Sequence, residues 1–260
     1  MLPMINQFVY RPDATGAPPD LTPDTLGLDY EEVAIEAEDG ITLSAWYLPG
    51  QGDDQVAALL YCHGNAGDIR DWVYAAPPFV EAGVSVLLWD YRGYGRSEGQ
   101  PSEEGLYRDG EAAWHWLHER TNTENLPTAL LGKSLGSAVA VYLAASHAEN
   151  RANPAALILD SAFTSMREVI ANVAPVPIDL IPSLYENVER VPAITCPTLV
   201  VHGGRDQLVP LRHGERIYEA LTAPKAWRVV EPAGHNDIVA FPQYHQWLLA
   251  FLRDPAGFVG

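Results

Sequence analysis

Thr128-Ala-Leu-Leu-Gly132-Lys133-Ser134-Leu135-Gly136-Ser-Ala-Val-Ala140 is the stretch on which the reading of this chain turns. A short apolar run, a Gly-x-Ser-x-Gly turn and a helical pattern follow one another, as when a buried strand hands a serine to a sharp strand-to-helix corner. Gly132 and Gly136 relieve the crowding that side chains would create at such a corner. Beyond it Leu135, Val139, Tyr142 and Leu143 fall at i, i+4, i+7 and i+8, while Gly136, Ala138, Ala140 and Ala144 permit close packing on a sheet. Ser134 is therefore the candidate nucleophile, with the positive end of the helix directed at it. Gly132-Lys133-Ser134 also matches the end of a phosphate-binding loop. That motif requires glycine at 127, where Pro127 stands before four strand-like residues, and the nucleotide reading is rejected.

Working outward, Val56 to Cys62 is continuously apolar, as a strand buried on both faces must be, and runs into His63-Gly64-Asn65-Ala66-Gly67. Val84 to Trp89 reads the same way and ends in Asp90-Tyr-Arg-Gly-Tyr-Gly-Arg-Ser97. Glu98 stands where a dinucleotide fingerprint would need its third glycine, so that reading fails too. Ala155 to Asp160, Pro197 to His202 and Ala226 to Glu231 are further strands. Helices are expected over 102–120, over 211–222 and from Pro242, with Tyr244, Trp247, Leu248 and Phe251 on one face. Asp39-Gly40 between two alternating runs predicts a hairpin. Residues 1–30 are expected to form an arm over the surface, and 31–260 one domain with a small lid at 163–192. The lid is rich in proline and carries the apolar set Met166, Val169, Ile170 and Val173. Strands alternating with helices define an α/β fold around a mostly parallel sheet, with the strand C-terminal ends along one edge.

At 260 residues and 47% hydrophobic content the chain can bury one large core. A formal charge of −18 excludes nucleic acid and anionic membranes as electrostatic partners, since both would repel it. No apolar run approaches the roughly 20 residues needed to span a bilayer, and Met1 to Arg11 lacks the pattern of a secretion signal, so a cytoplasmic protein is expected. Cys62 and Cys196 read as free, buried and unreactive. His115 and His118 are helical neighbours without a third ligand nearby, which makes them surface imidazoles beside Glu111 and Glu119 rather than a metal pair.

Three residues remain that each follow a strand end: Ser134, Asp206 and His235. A serine hydroxyl is a poor nucleophile until a base takes its proton; histidine titrates in the range to do so and then to protonate the leaving group. Asp206, in a tight Gly203-Gly204 turn, would orient His235 and stabilise its imidazolium. Backbone N–H groups of Leu135 and Asn65 are the expected oxyanion donors. His63 and His202 each precede a glycine and are expected to hold turns. Asp160, also at a strand end, is the rival for the acid, and Asp237 is too close in sequence to His235 to orient it. No metal or organic cofactor is implied, because the triad supplies nucleophile, base and electrostatics itself.

With His63–Gly67, Asp90–Ser97, Gly132–Ser137 and Gly234–Asp237 in hand, the chain resembles the α/β-hydrolase family over residues 31–252. It is most similar to the small-lidded branch with His-Gly-Asn-x-Gly, Gly-x-Ser-Leu-Gly-Ser and Gly-His-Asn-Asp motifs. The resemblance implies an eight-stranded sheet in the order 1-2-4-3-5-6-7-8 and hydrolysis of acyl esters or thioesters. The branch includes thioesterases, lysophospholipid lipases, simple carboxylesterases and proteins labelled peptidases; a small-molecule acyl ester is the substrate expected here. A serine in the nucleophile position argues against a dehalogenase, and the presence of all three triad residues argues against a non-catalytic binding module. The implied strand order also sets Cys62 and Cys196 about three strand spacings, roughly 14 Å, apart, too far for a disulfide.

Overall fold

The computed structural model describes residues 9–122, 126–174 and 177–259. Its frame is β1 (Glu31–Glu36), β2 (Thr42–Leu48), β3 (Ala57–Cys62), β4 (Val84–Trp89), α1 (Glu103–Asn122), β5 (Thr128–Lys133), α2 (Leu135–Ser146), β6 (Ala156–Asp160), α3 (Met166–Val173), β7 (Thr198–Gly203), α4 (Arg212–Ala220), β8 (Lys225–Val230) and α5 (Pro242–Arg253). The eight strands form one sheet in the order β1-β2-β4-β3-β5-β6-β7-β8. The hairpin β1–β2 and the β2–β4 pair are antiparallel; every other neighbour pair is parallel. This is the α/β-hydrolase sheet that the resemblance implied, and element ends agree with the sequence reading to within about two residues, as capping and fraying allow.

The buried strands divide their side chains between two cores by the two-residue period of a pleated chain. In β3, Ala58, Leu60 and Cys62 face one core with Leu106, Val139 and Ile217. Leu59 and Tyr61 face the other, with Phe79, Leu248 and Phe251. Between β3 and β4 lie two short helices, Ile69–Trp72 and Pro77–Glu81, too brief to leave a period in the sequence. Asp68 caps the first of them, its carboxylate accepting from Arg70 N–H while Asp71 bonds back to Asp68 N–H.

Two expectations need amending. The arm does not simply lie over the surface: Val9, Tyr10, Leu21 and Leu28 are buried, and the hydroxyls of Tyr10 and Tyr185 are hydrogen-bonded at 2.7 Å. Isolated anchors of this kind leave no periodicity to read. Residues 1–8, the part of the expected arm that bears on a secretion signal, lie outside the described residues, as does Pro175 of the expected lid. Within 163–192, Met166, Val169 and Ile170 point into the core, while Val173 is half exposed and turns away from the apolar face assigned to it. Cys62 and Cys196 are free and buried, and burial pushes both thiols up, that of Cys196 to about 12.

Buried histidines give the fold an acid-sensitive component. Burial lowers His213 to about 4, with smaller influences from Glu168, Arg212, Arg216 and His202. In the unfolded chain it titrates near 6.5. Between these values the unfolded state takes up a proton that the folded state refuses. The contribution of His213 is therefore intact above pH 6.5 and falls as pH drops toward 4, by at most about 1.4 kcal/mol per pH unit. Other groups titrate in the same window, so the readout is the difference in urea stability between the parent and His213→Gln. That difference should move against the parent from pH 7 to 4.5; a difference independent of pH would refute the assignment.

Candidate active site

Ser134 sits at the end of β5 with φ 51° and ψ −116°, a strained conformation for a residue with a side chain. Its N–H donates to the Asp160 carbonyl at 2.9 Å and its carbonyl accepts from Ser137 N–H at 2.9 Å, so both sides of the corner are pinned. A Cβ on Gly132 would lie 2.5 Å from the Gly136 carbonyl oxygen and from the Cα of Ser137, and one on Gly136 would overlap the carbonyl groups of Cys62 and His63. The two glycines thus let β5, α2 and the exit of β3 approach at backbone contact. Gly136→Ala should cost more than about 3 kcal/mol, since only main chain can yield there; a chemical-denaturation midpoint within error of the parent would contradict this.

Asp206 and His235 arrive on neighbouring loops. The exit of β7 and the exit of β8 are zipped together by Gly204 N–H to Val230 O at 3.0 Å and Arg205 N–H to Ala233 O at 2.8 Å, and a Cβ on Gly203 would strike the carbonyls of Ala233 and Gly234. His235 Nδ1 lies 2.6 Å from Asp206 Oδ2, and His235 Nε2 lies 3.0 Å from Ser134 Oγ. The tautomer consistent with both contacts has Nδ1–H donating to the carboxylate and the serine hydroxyl donating to Nε2. Asp206 Oδ1 accepts from Leu208 N–H at 3.0 Å and Val209 N–H at 2.8 Å. Burial pushes the Asp206 carboxyl up, but the hydrogen bond and charge of His235, the Val209 amide and His202 outweigh it and hold it below the ordinary carboxylate value.

The loop after β3 passes beside the nucleophile: a Cβ on Gly64 would come within 3.8 Å of Ser134 Cβ. Asn65 is clamped from the arm, its side-chain amide donating to Val9 O at 3.2 Å and its carbonyl accepting from Arg11 N–H at 3.0 Å. Leu135 opens α2, where an N–H has no intrahelical acceptor. A cavity of about 480 Å³ is lined by Ala66, Lys133 and Asn236, the chain neighbours of Asn65, Ser134 and His235, together with Trp72, Tyr74 and Val239, though by no triad residue itself.

The rivals are engaged elsewhere. Asp160 is committed to Lys133, Ser161 and Tyr244, at 2.9, 2.9 and 2.8 Å, and makes no bond to His235. His63 Nδ1 is 2.7 Å from Gly64 O, and His202 Nε2 is 2.8 Å from Val209 O, each within its own turn. The Asp237 carboxylate accepts Gly234 N–H at 2.6 Å. His115 pairs with Glu119 at 3.2 Å and His118 stacks on Trp114; a cleft of about 560 Å³ beside them contains no triad residue. Among the described residues no group of three or more metal-ligating side chains occurs, and no helix is long and apolar enough to cross a membrane. The Lys133–Asp160 pair, the Tyr244 hydroxyl and the arm's hold on Asn65 escaped the sequence reading. A lysine ending an otherwise apolar strand, opposite an aspartate ending the next, was the one available signal.

Sheet order, elbow and the ring of His235 between two oxygens define the class of protein: an α/β hydrolase. A family model described as Hydrolase_4, serine aminopeptidase S33, matches residues 53–188, and the chain belongs to that family. An uncharacterized protein of Mycobacterium tuberculosis is 40% identical over 233 residues, covering 89% of this chain and 80% of that one. The uncharacterized protein YfhR of Escherichia coli O157:H7 is 30% identical over 242 residues, 92% of this chain and 82% of that one. Among solved structures, the Pyrococcus furiosus esterase Pf2001 superposes with a TM-score of 0.77 at 21% identity, covering 97% of this chain and 100% of that one. An α/β hydrolase from Vibrio vulnificus gives 0.75 at 21%, covering 95% and 92%.

Proposed function

We propose that this hydrolase cleaves carboxylic esters of short to medium acyl chain through an acyl-enzyme, with Ser134 as nucleophile, His235 as general base and acid, and Asp206 as its orienting carboxylate. The observation that carries the reading is the imidazole bridging Ser134 Oγ at 3.0 Å and Asp206 Oδ2 at 2.6 Å. His235 Nε2 takes the hydroxyl proton as Oγ bonds to the ester carbonyl carbon. The resulting oxyanion is received by the backbone N–H groups of Leu135 and Asn65. Collapse of the tetrahedral species breaks the C–O bond, and His235 hands its proton to the leaving alcohol. Water then repeats the sequence on the acyl-serine and regenerates the hydroxyl. The cavity of about 480 Å³ that Lys133 and Asn236 help to line is of a size to take the acyl group.

The test is turnover of p-nitrophenyl esters from acetate to palmitate, with Ser134→Ala alongside. A maximum at short or medium chains that disappears in the variant is expected. Unchanged turnover in the variant sinks the reading, and activity rising toward palmitate replaces it by a lipase or thioesterase. The family's description as a serine aminopeptidase makes an amide the relevant contrast: matched p-nitroanilides should turn over far more slowly than the esters.

A further inference from the structure

Lys133 occupies the variable position of the Gly-x-Ser turn, and no step of the proposed reaction uses it. It is nevertheless almost wholly buried, at 3% exposure, and the three donors of its ammonium all find acceptors. Lys133 Nζ donates to Asp160 Oδ1 at 2.9 Å, to Ser161 Oγ at 3.3 Å and to the main-chain carbonyl of His235 at 2.8 Å. Asp160, with no exposed surface, is saturated in turn: Oδ1 also accepts the Ser161 hydroxyl at 2.9 Å and Oδ2 the Tyr244 hydroxyl at 2.8 Å. The pair is set by the sheet, since Lys133 and Asp160 are register partners at the ends of β5 and β6.

These contacts close a ring. Asp160 holds the backbone of Ser134 through its carbonyl, and Lys133 through its carboxylate. Lys133 holds the backbone of His235, whose imidazole returns to Ser134 Oγ. A buried ion pair is costly to desolvate and is a weak source of stability compared with apolar packing of the same volume. What this one supplies is a fixed height for the His235 loop, because a bond to a main-chain carbonyl sets the backbone whatever the side-chain torsions do. The imidazole must satisfy two short contacts at once, and displacement on the order of 1 Å is enough to cost catalysis heavily.

We propose that Lys133, anchored on Asp160, is a positioning residue that fixes the His235 loop so that the imidazole reaches Ser134. The proposal rests on the catalytic reading of Ser134, His235 and Asp206. Lys133→Met alone would strand the Asp160 carboxylate and lower Tm together with turnover. The decisive variant is therefore Lys133→Met with Asp160→Asn, which removes both charges and keeps the shape, its amide oxygen accepting one of the Ser161 and Tyr244 hydroxyls and its NH₂ donating to the other. Its Tm should return toward the parent's, while kcat for the preferred p-nitrophenyl ester stays about 10- to 100-fold down and KM moves by less than about twofold. The downfield proton resonance of the His235–Asp206 hydrogen bond should shift or broaden, a signature that a merely structural lysine would not affect. Parental kcat and an unmoved resonance in the double variant overturn the proposal. Lys133→Gln with Asp160→Asn, whose amide can still donate to the His235 carbonyl, is the rescue: it should regain kcat that the Met variant lost, and a kcat as low as that of the Met variant overturns the proposal. Ser134→Ala run beside them separates the failures. Turnover that survives it removes the catalytic reading; turnover lost there but kept in the double variant removes the role of Lys133 alone.

Discussion

Alanine at position 134 should lower kcat for esters by roughly 10⁶-fold and leave the fold intact. The size follows from the site acting as a unit: without Oγ the imidazole has no proton to take, and what persists is the activity of bound water beside the oxyanion donors. The fold survives because both main-chain bonds of the corner, from Ser134 N–H to Asp160 and from Ser137 N–H to the Ser134 carbonyl, are indifferent to the side chain. Alanine also inherits the strained φ of 51°. Glycine does not, and Ser134→Gly should be more stable than Ser134→Ala by about 1 kcal/mol, the order of strain held by a non-glycine residue in such a conformation. Calorimetry and ester turnover on the three proteins check both statements. Residual turnover in Ser134→Ala above about a hundredth of the parent would place the nucleophile elsewhere.

The second large effect is expected for Asp206→Asn, a loss of about 10⁴-fold in kcat. Asparagine can keep an oxygen on Leu208 and Val209 N–H, which accept no substitute donor, so its amide NH₂ must turn toward His235 Nδ1. Nδ1 then becomes the acceptor, Nε2 carries the proton, and the base is lost although the geometry is kept. Because the Asp206 carboxyl is held below its ordinary value, it stays ionised down through the usual carboxylate range, and its stabilising contribution, complete above that range, is lost as pH falls from the ordinary value through the lowered one. The acid limb of kcat/KM should therefore not report the Asp206 carboxylate. Rates and pH profiles of parent and variant test this; an Asp206→Asn protein within tenfold of the parent would return the role of acid to another residue.

Much of the fold was legible because strands buried on both faces must be continuously apolar, and this chain has several bounded by glycine-rich exits. The hairpin, the elbow and the α5 stripe carry equally local signals. The strand order was not read from local signals; it came with the family resemblance. The two short helices after β3 and the anchors of the arm were illegible, since four or five residues carry no period and single apolar side chains no pattern.

By itself the sequence determined the α/β class, the strained corner at Ser134 and three residues at strand ends in hydrolase order. Each follows from chemistry within about ten residues: glycine where no Cβ fits, apolar runs where water is absent, a polar side chain where a strand stops. The tight glycine turn favoured Asp206 over Asp160, but the tertiary structure decided which acid meets His235: Asp160 is the last residue of β6, whereas Asp206 stands in the loop beyond β7. Lys133 and Tyr244 saturate Asp160, while the zipped exits of β7 and β8 carry Asp206 to the imidazole. Hydrogen bonds between residues as many as 175 positions apart leave no local trace, and the Lys133–His235 bond spans 102, so the partner of each buried charge had to wait for the fold.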